Sequence, residues 1–193
     1  MNRLAAAMLL MLAAGCARAE PLAWNFRVFL DEREIGHHHF TLRTDGAARE
    51  LRSEARFQVR VLGLTVYRYA HDAMERWRGE CLQALDSTTD DNGDREKVDW
   101  RGEPGGCALS FAYWNPKILQ GGRLLNAQTG RFEPVTVTSQ GEETIEVRGR
   151  PTPSRRYRLA GANLAIDVWY AGAQWVALES AAKGGRRLRY QLI

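Results

Sequence analysis

Polar and apolar residues alternate along most of this chain from residue 22 onward. In Trp24-Asn-Phe-Arg-Val-Phe-Leu-Asp31, the side chains of Trp24, Phe26, Val28 and Leu30 fall on one face, and Asn25, Arg27 and Asp31 on the other. Such period-two alternation marks a strand with one buried side. The polar turn Asp31-Glu-Arg-Glu34 leads into a return strand from Ile35 to Arg43, so residues 22–43 are predicted to form a hairpin. On the return strand Gly36, His38, Phe40 and Leu42 share one face, and His37, His39 and Thr41 the other.

The clearest alternation follows the turn at Thr44-Asp-Gly-Ala47. Leu51, Ser53, Ala55, Phe57, Val59 and Val61 point one way; Arg52, Glu54, Arg56, Gln58 and Arg60 point the other. Mixed charges on the outer face suit an exposed sheet surface and discourage edge-to-edge pairing. Leu62-Gly-Leu64 predicts a break or bulge. Thr65 to Trp77 continues as a strand with Tyr67, Tyr69, His71, Ala73 and Glu75 on a common side; its β-branched and aromatic start favours strand over helix.

Cys81–Thr89 reads as a further strand, followed by the turn signal Asp90-Asp-Asn-Gly93. A short strand spans Val98 and Trp100, and a second turn Gly102–Gly106. Cys107–Ala112 is predicted as a strand that stops at Asn115-Pro116, because proline lacks a donor and restricts the residue before it. Lys117–Asn126 predicts a short helix or an irregular link. Three hairpins complete the chain: Pro134–Ser139 with Glu143–Arg148 about Gln140-Gly141, Arg155–Leu159 with Leu164–Tyr170, and Trp175–Ser180 with Arg187–Leu192.

The expected fold is therefore mainly β, with roughly ten to twelve strands. So many strands do not lie flat. The expectation is a single curved antiparallel meander forming a half-barrel or partly open barrel, with a two-sheet β-sandwich as the alternative. No internal repeat or linker divides residues 20–193, which read as one domain.

Residues 1–19 read as an export signal. Arg3 supplies the positive start, and Leu4 to Ala14 is an apolar run too short to span a bilayer. Ala17-Arg-Ala19 offers small residues for cleavage after Ala19, which places the mature protein in the periplasm. The rival reading is a lipoprotein box, Leu12-Ala-Ala-Gly-Cys16, lipidated at Cys16; Ala13 stands where such a box usually has Leu. No later apolar run approaches the length of a membrane span.

Export changes the reading of the remaining cysteines. In an oxidising compartment Cys81 and Cys107 most simply form one structural bridge. There is no Cys-x-x-Cys and no zinc-finger spacing. Charge changes the picture less. The formal charge of +4 falls to +2 once Arg3 and Arg18 leave with the leader. Acids are interspersed with the arginines, so a nucleic-acid partner is not expected.

Several stretches together resemble a known family. Ile35-Gly-His-His-His-Phe40, Tyr67-Arg-Tyr-Ala-His71, Cys81-Leu-Gln-Ala-Leu85 with Asp91-Asn-Gly93, Ser110-Phe-Ala-Tyr-Trp-Asn-Pro116, Leu124-Leu-Asn-Ala-Gln-Thr-Gly130 and Asp167-Val-Trp-Tyr170 are similar to a family of exported proteobacterial proteins classed as a domain of unknown function. The Phe-Ala-Tyr-Trp-Asn-Pro block is the most specific. The resemblance covers nearly all of the chain after the leader and implies a secreted, mostly β protein, but no reaction. A weaker likeness is to curved-sheet lipoprotein carriers and lipocalin-like barrels. Between Gly93 and Cys107 this chain is shorter than family members usually are, which leaves any shared pocket wall open there.

Candidate chemistry centres on aromatics. Large aromatics on the concave side of a curved sheet make an apolar pocket; they also fill cores. The candidate ligand-binding set is Trp24, Phe26, His38, Phe40, Phe57, Tyr67, Tyr69, His71, Glu75 and Tyr113, for an apolar or lipid-like small molecule. An enzyme using His71 as a base oriented by Glu75 is a less favoured reading, because no nucleophile, metal motif or phosphate loop is present. A third reading is a structural or interaction protein of the cell envelope without a small ligand. No metal or cofactor is expected: His37 and His39 share a face but lack a third ligand.

Overall fold

The computed structural model describes residues 20–193. The leader 1–19, its cleavage after Ala19 and the rival lipidation at Cys16 lie outside the described residues. Thirteen strands follow in order: β1 (Leu22–Leu30), β2 (Arg33–Asp45), β3 (Ala48–Val61), β4 (Leu64–Arg78), β5 (Cys81–Asp91), β6 (Asp94–Arg101), β7 (Leu109–Ser110), β8 (Gly122–Leu125), β9 (Phe132–Val147), β10 (Arg150–Gly161), β11 (Leu164–Ala171), β12 (Gln174–Ala181) and β13 (Arg187–Leu192). They form one sheet in the order β6-β5-β4-β3-β2-β1-β13-β12-β11-β10-β9-β8-β7. The first and last strands pair at its centre, and each half of the chain fans outward from there. The sheet is curved and open, as expected for a half-barrel, and the two-sheet sandwich does not form.

The two ends of the sheet meet by backbone pairing at one corner. The β5 backbone at Leu82 bridges Ala108, just before β7. Beside it, the disulfide Cys81–Cys107 forms as the cysteine reading expected. The far edge, β6, carries Asp94, Arg95, Glu96, Lys97, Asp99 and Arg101, a charged edge that resists strand addition.

Four local expectations are corrected. The strand predicted over Cys107–Ala112 shrinks to Leu109–Ser110, and its pairing with β8 is parallel, the exception to the antiparallel ladder. Beyond Ser110 the chain leaves the ladder, and Phe111 to Trp114 all turn onto one cavity, which a period-two strand cannot do. Gln140-Gly141 is not a turn but a bulge inside β9: Ser139 pairs with Tyr157 and Gly141 with Arg156, leaving Gln140 over. The actual turn is Arg148-Gly149. Val61 does not continue the inward row of β3, because the register shifts between Val59 and Arg60 and leaves it exposed. Lys117–Asn126 divides into a 3-10 turn, Pro116–Gln120, and β8; Asn115 caps the turn by accepting from Lys117 N at 3.1 Å.

The core sits under the central strands. Phe26 is fully buried, with its ring centroid 4.4 Å from Trp175 and 6.2 Å from Phe40. A buried aromatic of this size contributes about 2–3 kcal/mol.

Candidate functional site

The concave face encloses a cavity of about 640 Å3. Its existence follows from residue size along the inward rows. At the middle of β3 and β4 the inward residues are Ser53 and Ala73, which pair directly across the two strands. Larger side chains flank them: His38 and Phe40 on β2, Tyr69, His71 and Glu75 on β4. Small residues at the floor and large ones around it leave a hollow. The opposite wall comes from Trp175 and Leu178 on β12 and Leu188 and Tyr190 on β13. The segment from Phe111 to Trp114 and the stretch 126–134 cover the open side.

That cover is held by specific side-chain contacts. Ser110 Oγ donates to Glu75 Oε1 at 2.7 Å, and the Tyr170 hydroxyl donates to the Tyr113 carbonyl at 2.6 Å. Ser87 Oγ donates to the Ala127 carbonyl at 2.5 Å. Trp77 and Trp114 meet edge to face at 5.4 Å.

The polar groups in the cavity are mostly neutral. His38 Nε2 is hydrogen-bonded to Ser53 Oγ at 2.7 Å and Nδ1 to the Tyr190 hydroxyl at 3.2 Å. Burial first, and then the nearby histidines, hold His38 well below the usual imidazole range. His71 Nδ1 bonds Thr89 Oγ1 at 2.8 Å, and burial pushes the ring down to about 4. Glu75 is enclosed; burial pushes its carboxyl up to about 7, against the opposing bonds from Ser110 and Trp77 Nε1. Burial and the neighbouring Tyr69 and Tyr113 hydroxyls raise Tyr190 well above its ordinary value. At neutral pH the imidazoles and phenols therefore carry no charge.

The ten candidate residues separate. His38, Phe40, Tyr69, His71, Glu75 and Tyr113 line this one cavity. Trp24 and Phe26 lie in the core instead. Phe57 stacks on Tyr69 at 5.1 Å and opens onto a shallower cleft with Arg56 and Gln58. Tyr67 stands further along β4, where burial and the Asp91 side chain raise its phenol. His71 and Glu75 share a face of β4, but four residues of strand separate them by about 13 Å. Each is bonded elsewhere, so they do not form a dyad.

Several lining residues were not among the candidates. Trp114, Trp175 and Phe111 are aromatics of the expected kind, and Tyr190 lies in the alternating run Arg187-Leu-Arg-Tyr-Gln-Leu192. Its inward phase was readable; its neighbourhood depends on β13 joining β1, which periodicity does not show. His37 and His39 face outward with rings 4.6 Å apart, and His39 Nδ1 bonds Asn25 Oδ1 at 2.8 Å. Among the described residues, no three His, Cys, Asp or Glu side chains converge as a metal site would need.

These features define a curved-sheet, β-barrel-like protein. The chain belongs to a family described as a domain of unknown function, DUF6134, whose pattern matches residues 26–193. No curated protein matches the chain. The fold is similar to the crystal structure of a beta-barrel-like protein of domain of unknown function DUF1849 from Brucella abortus, with a TM-score of 0.64 at 9% identity, covering 91% of this chain and 97% of that one.

Proposed function

We propose that this is an exported protein that holds an apolar or amphipathic small molecule, of lipid-like character, in the concavity of its sheet. The observation that carries the reading is the cavity of about 640 Å3, walled by Phe40, Phe111, Tyr113, Trp114 and Trp175 with a few neutral hydrogen-bonding groups among them. Ligand sites in this size range are concave, mostly apolar and provided with a small number of polar groups that fix orientation. Among the described residues, Arg131 is the one cation on the cavity wall, and Glu75 is a buried acid. The buried acid, and the neutral imidazole and phenol groups around it, disfavour an anionic head group deep in the interior and favour an uncharged one there.

The disulfide and the leader support export to the periplasm. Among the described residues, no helix is long and apolar enough to cross a membrane.

The test is native mass spectrometry of protein purified from its own periplasm, followed by organic extraction. A bound mass that is released into the organic phase and identified as an uncharged amphiphile supports the reading. Protein that emerges at its bare mass, and that also fails to take up the neutral dye N-phenyl-1-naphthylamine, overturns it.

A further inference from the structure

The hairpin joining β3 to β4 carries an unexplained cluster. Of its residues, Leu62 is 97% exposed, Leu64 72%, Val66 54% and Val61 48%. These are four of the six exposed large hydrophobics among the described residues. Singly exposed apolar side chains are ordinary; a contiguous group marks a contact surface.

The backbone makes the cluster a projection. On one side, β2 pairs with β3 only as far as Gly36 opposite Phe57. On the other, β5 pairs with β4 only from Tyr69 opposite Asp91. Residues 58–67 therefore extend as a two-stranded ribbon beyond both neighbours, anchored at its base where the Arg68 carbonyl accepts from Asn92 N at 2.8 Å, and stiffened by Gln58 Nε2 donating to Thr65 Oγ1 at 2.8 Å.

The turn is unusual in sequence as well. Leu62 and Gly63 both have positive φ, 51° and 82°. Two-residue turns of this kind favour Asn or Asp at the first position, and the next hairpin has Asn92-Gly93 there. Among the described non-glycine residues with positive φ, which are Asp31, Leu62, Asn92 and Arg148, leucine alone is apolar. A leucine in this conformation is disfavoured and gains nothing from burial here.

Charge indicates what covers it. Within residues 58–68 the ionisable side chains are Arg60, Tyr67 and Arg68, and there is no acid. Arg33 joins from β2 by donating to the Arg60 carbonyl. The half-buried Tyr67 lies between the apolar tip and the body of the sheet. Apolar residues at a tip, with tyrosine and arginine behind them, match the layering of a lipid interface: acyl boundary, head groups, phosphates.

We propose that the β3–β4 hairpin is a membrane-contact element, placing Val61, Leu62, Leu64 and Val66 in the interfacial zone of an anionic lipid surface while Arg60 and Arg68 meet the phosphates. The proposal does not depend on the cavity being occupied.

The test is co-sedimentation with vesicles, one set of phosphatidylcholine and phosphatidylglycerol in equal parts and one of phosphatidylcholine alone. The protein is compared with a Leu62→Asp/Leu64→Asp variant; both carry the same residues 1–19, so any partition due to the leader cancels. Binding to the mixed vesicles is expected, and the double substitution should weaken it at least about tenfold with an unchanged melting temperature. Arg60→Ala/Arg68→Ala should weaken it several-fold, with a reduced salt dependence. Equal binding by the wild type and the leucine variant overturns the proposal. So does a leucine-dependent self-association, or a leucine-dependent contact with an envelope protein, in the absence of vesicle binding.

Discussion

Two hairpins project from this sheet, and they are built oppositely. Both end in a two-residue turn of positive φ closed by glycine: Leu62-Gly63 on the β3–β4 hairpin, Arg148-Gly149 on the β9–β10 hairpin. The second extends past β11, which pairs with β10 only from Arg155 onward. It carries Glu142, Glu143, Glu146, Arg148, Arg150 and Arg155. Arg155 pairs with Glu142, and Trp169 Nε1 donates to Glu143 at 2.8 Å. At its root Asp167 accepts from Arg156 at 2.6 Å and from Arg158 at 2.8 and 2.7 Å. That hairpin is dominated by charged side chains and ion pairs, and its apolar Ile145 and Val147 are partly buried against the core. Ion pairs do not account for the first, whose tip is apolar and whose only formal charges are Arg60 and Arg68. The same fold thus shows what a solvated projection looks like, and the departure from it is what gives the first hairpin its meaning.

The largest expected effect lies at the root of the apolar hairpin. β2 parts from β3 at Gly36, where φ is +151° and an added Cβ would stand 1.9 Å from the Arg56 carbonyl oxygen. A backbone atom cannot rotate out of the way as a side chain can. Gly36→Ala should cost roughly 4 kcal/mol in urea unfolding. A loss below about 1 kcal/mol would show that β2 can slide, and that the ribbon has no fixed base.

Reducing the disulfide separates the hairpins from the cavity cover. Cys81–Cys107 closes a 26-residue separation and ties the crossing segment to β5. Its loss should cost about 3–4 kcal/mol. The melting temperature should fall by about 10 °C under reductant. Neither hairpin touches the bridge, so vesicle binding of the reduced, still folded protein should not change. Loss of that binding would mean the hairpin's presentation depends on the closed corner.

Glu75 tests what a charge costs when water does not reach it, in contrast to the solvated acids of the second hairpin. Its folded carboxyl titrates near 7 against an ordinary 4.5. Between those pH values the native state keeps a proton that the unfolded chain has lost. The group's contribution is therefore complete below 4.5 and falls away as pH rises to 7, by about 3 kcal/mol. Glu75→Gln cannot ionise, and its amide can still bond Ser110 and Trp77. The variant should gain about 3 kcal/mol relative to wild type across that window. His71, held down near 4, adds an opposite trend to both proteins and cancels in the difference. Parallel stability curves would show that Glu75 is solvated.

How much of this was legible depends on whether periodicity set the structure. Where a ladder runs on both sides, it did. The alternation of Leu51 to Phe57 and of Tyr69 to Glu75 gave the inward face of β3 and β4, including His71 and Glu75. It failed where one residue breaks phase, at Gln140 and at Val61, because a bulge leaves no compositional mark beyond a glycine that equally signals a turn. It failed again after Ser110, where tertiary packing of Phe111 to Trp114 replaces the ladder. The cavity was legible as a set of aromatics, but which aromatics share it depends on strand order. Trp24 and Phe26 have the same phase as Phe40 and yet belong to the core. The apolar hairpin tip was visible as Leu62-Gly-Leu64 and read as a break; only its exposure and the retreat of β2 and β5 distinguish it from buried strand.

The smallest effect is the most discriminating. Leu62→Asn replaces a disfavoured residue with the one that two-residue turns prefer, in the arrangement that Asn92-Gly93 already adopts in this molecule. If the leucine serves only a surface outside the chain, the substitution should leave stability unchanged or raise it by up to about 1 kcal/mol. Vesicle affinity should fall in the same protein. The reciprocal change on the charged hairpin, Arg148→Leu, should lower stability slightly by the same argument. If Leu62→Asn destabilises instead, the leucine contributes to folding, and the difference between the hairpins would be one of construction rather than contact. A gain in stability with a loss of binding would mean that the chain carries a cost at this turn for the sake of what the turn touches.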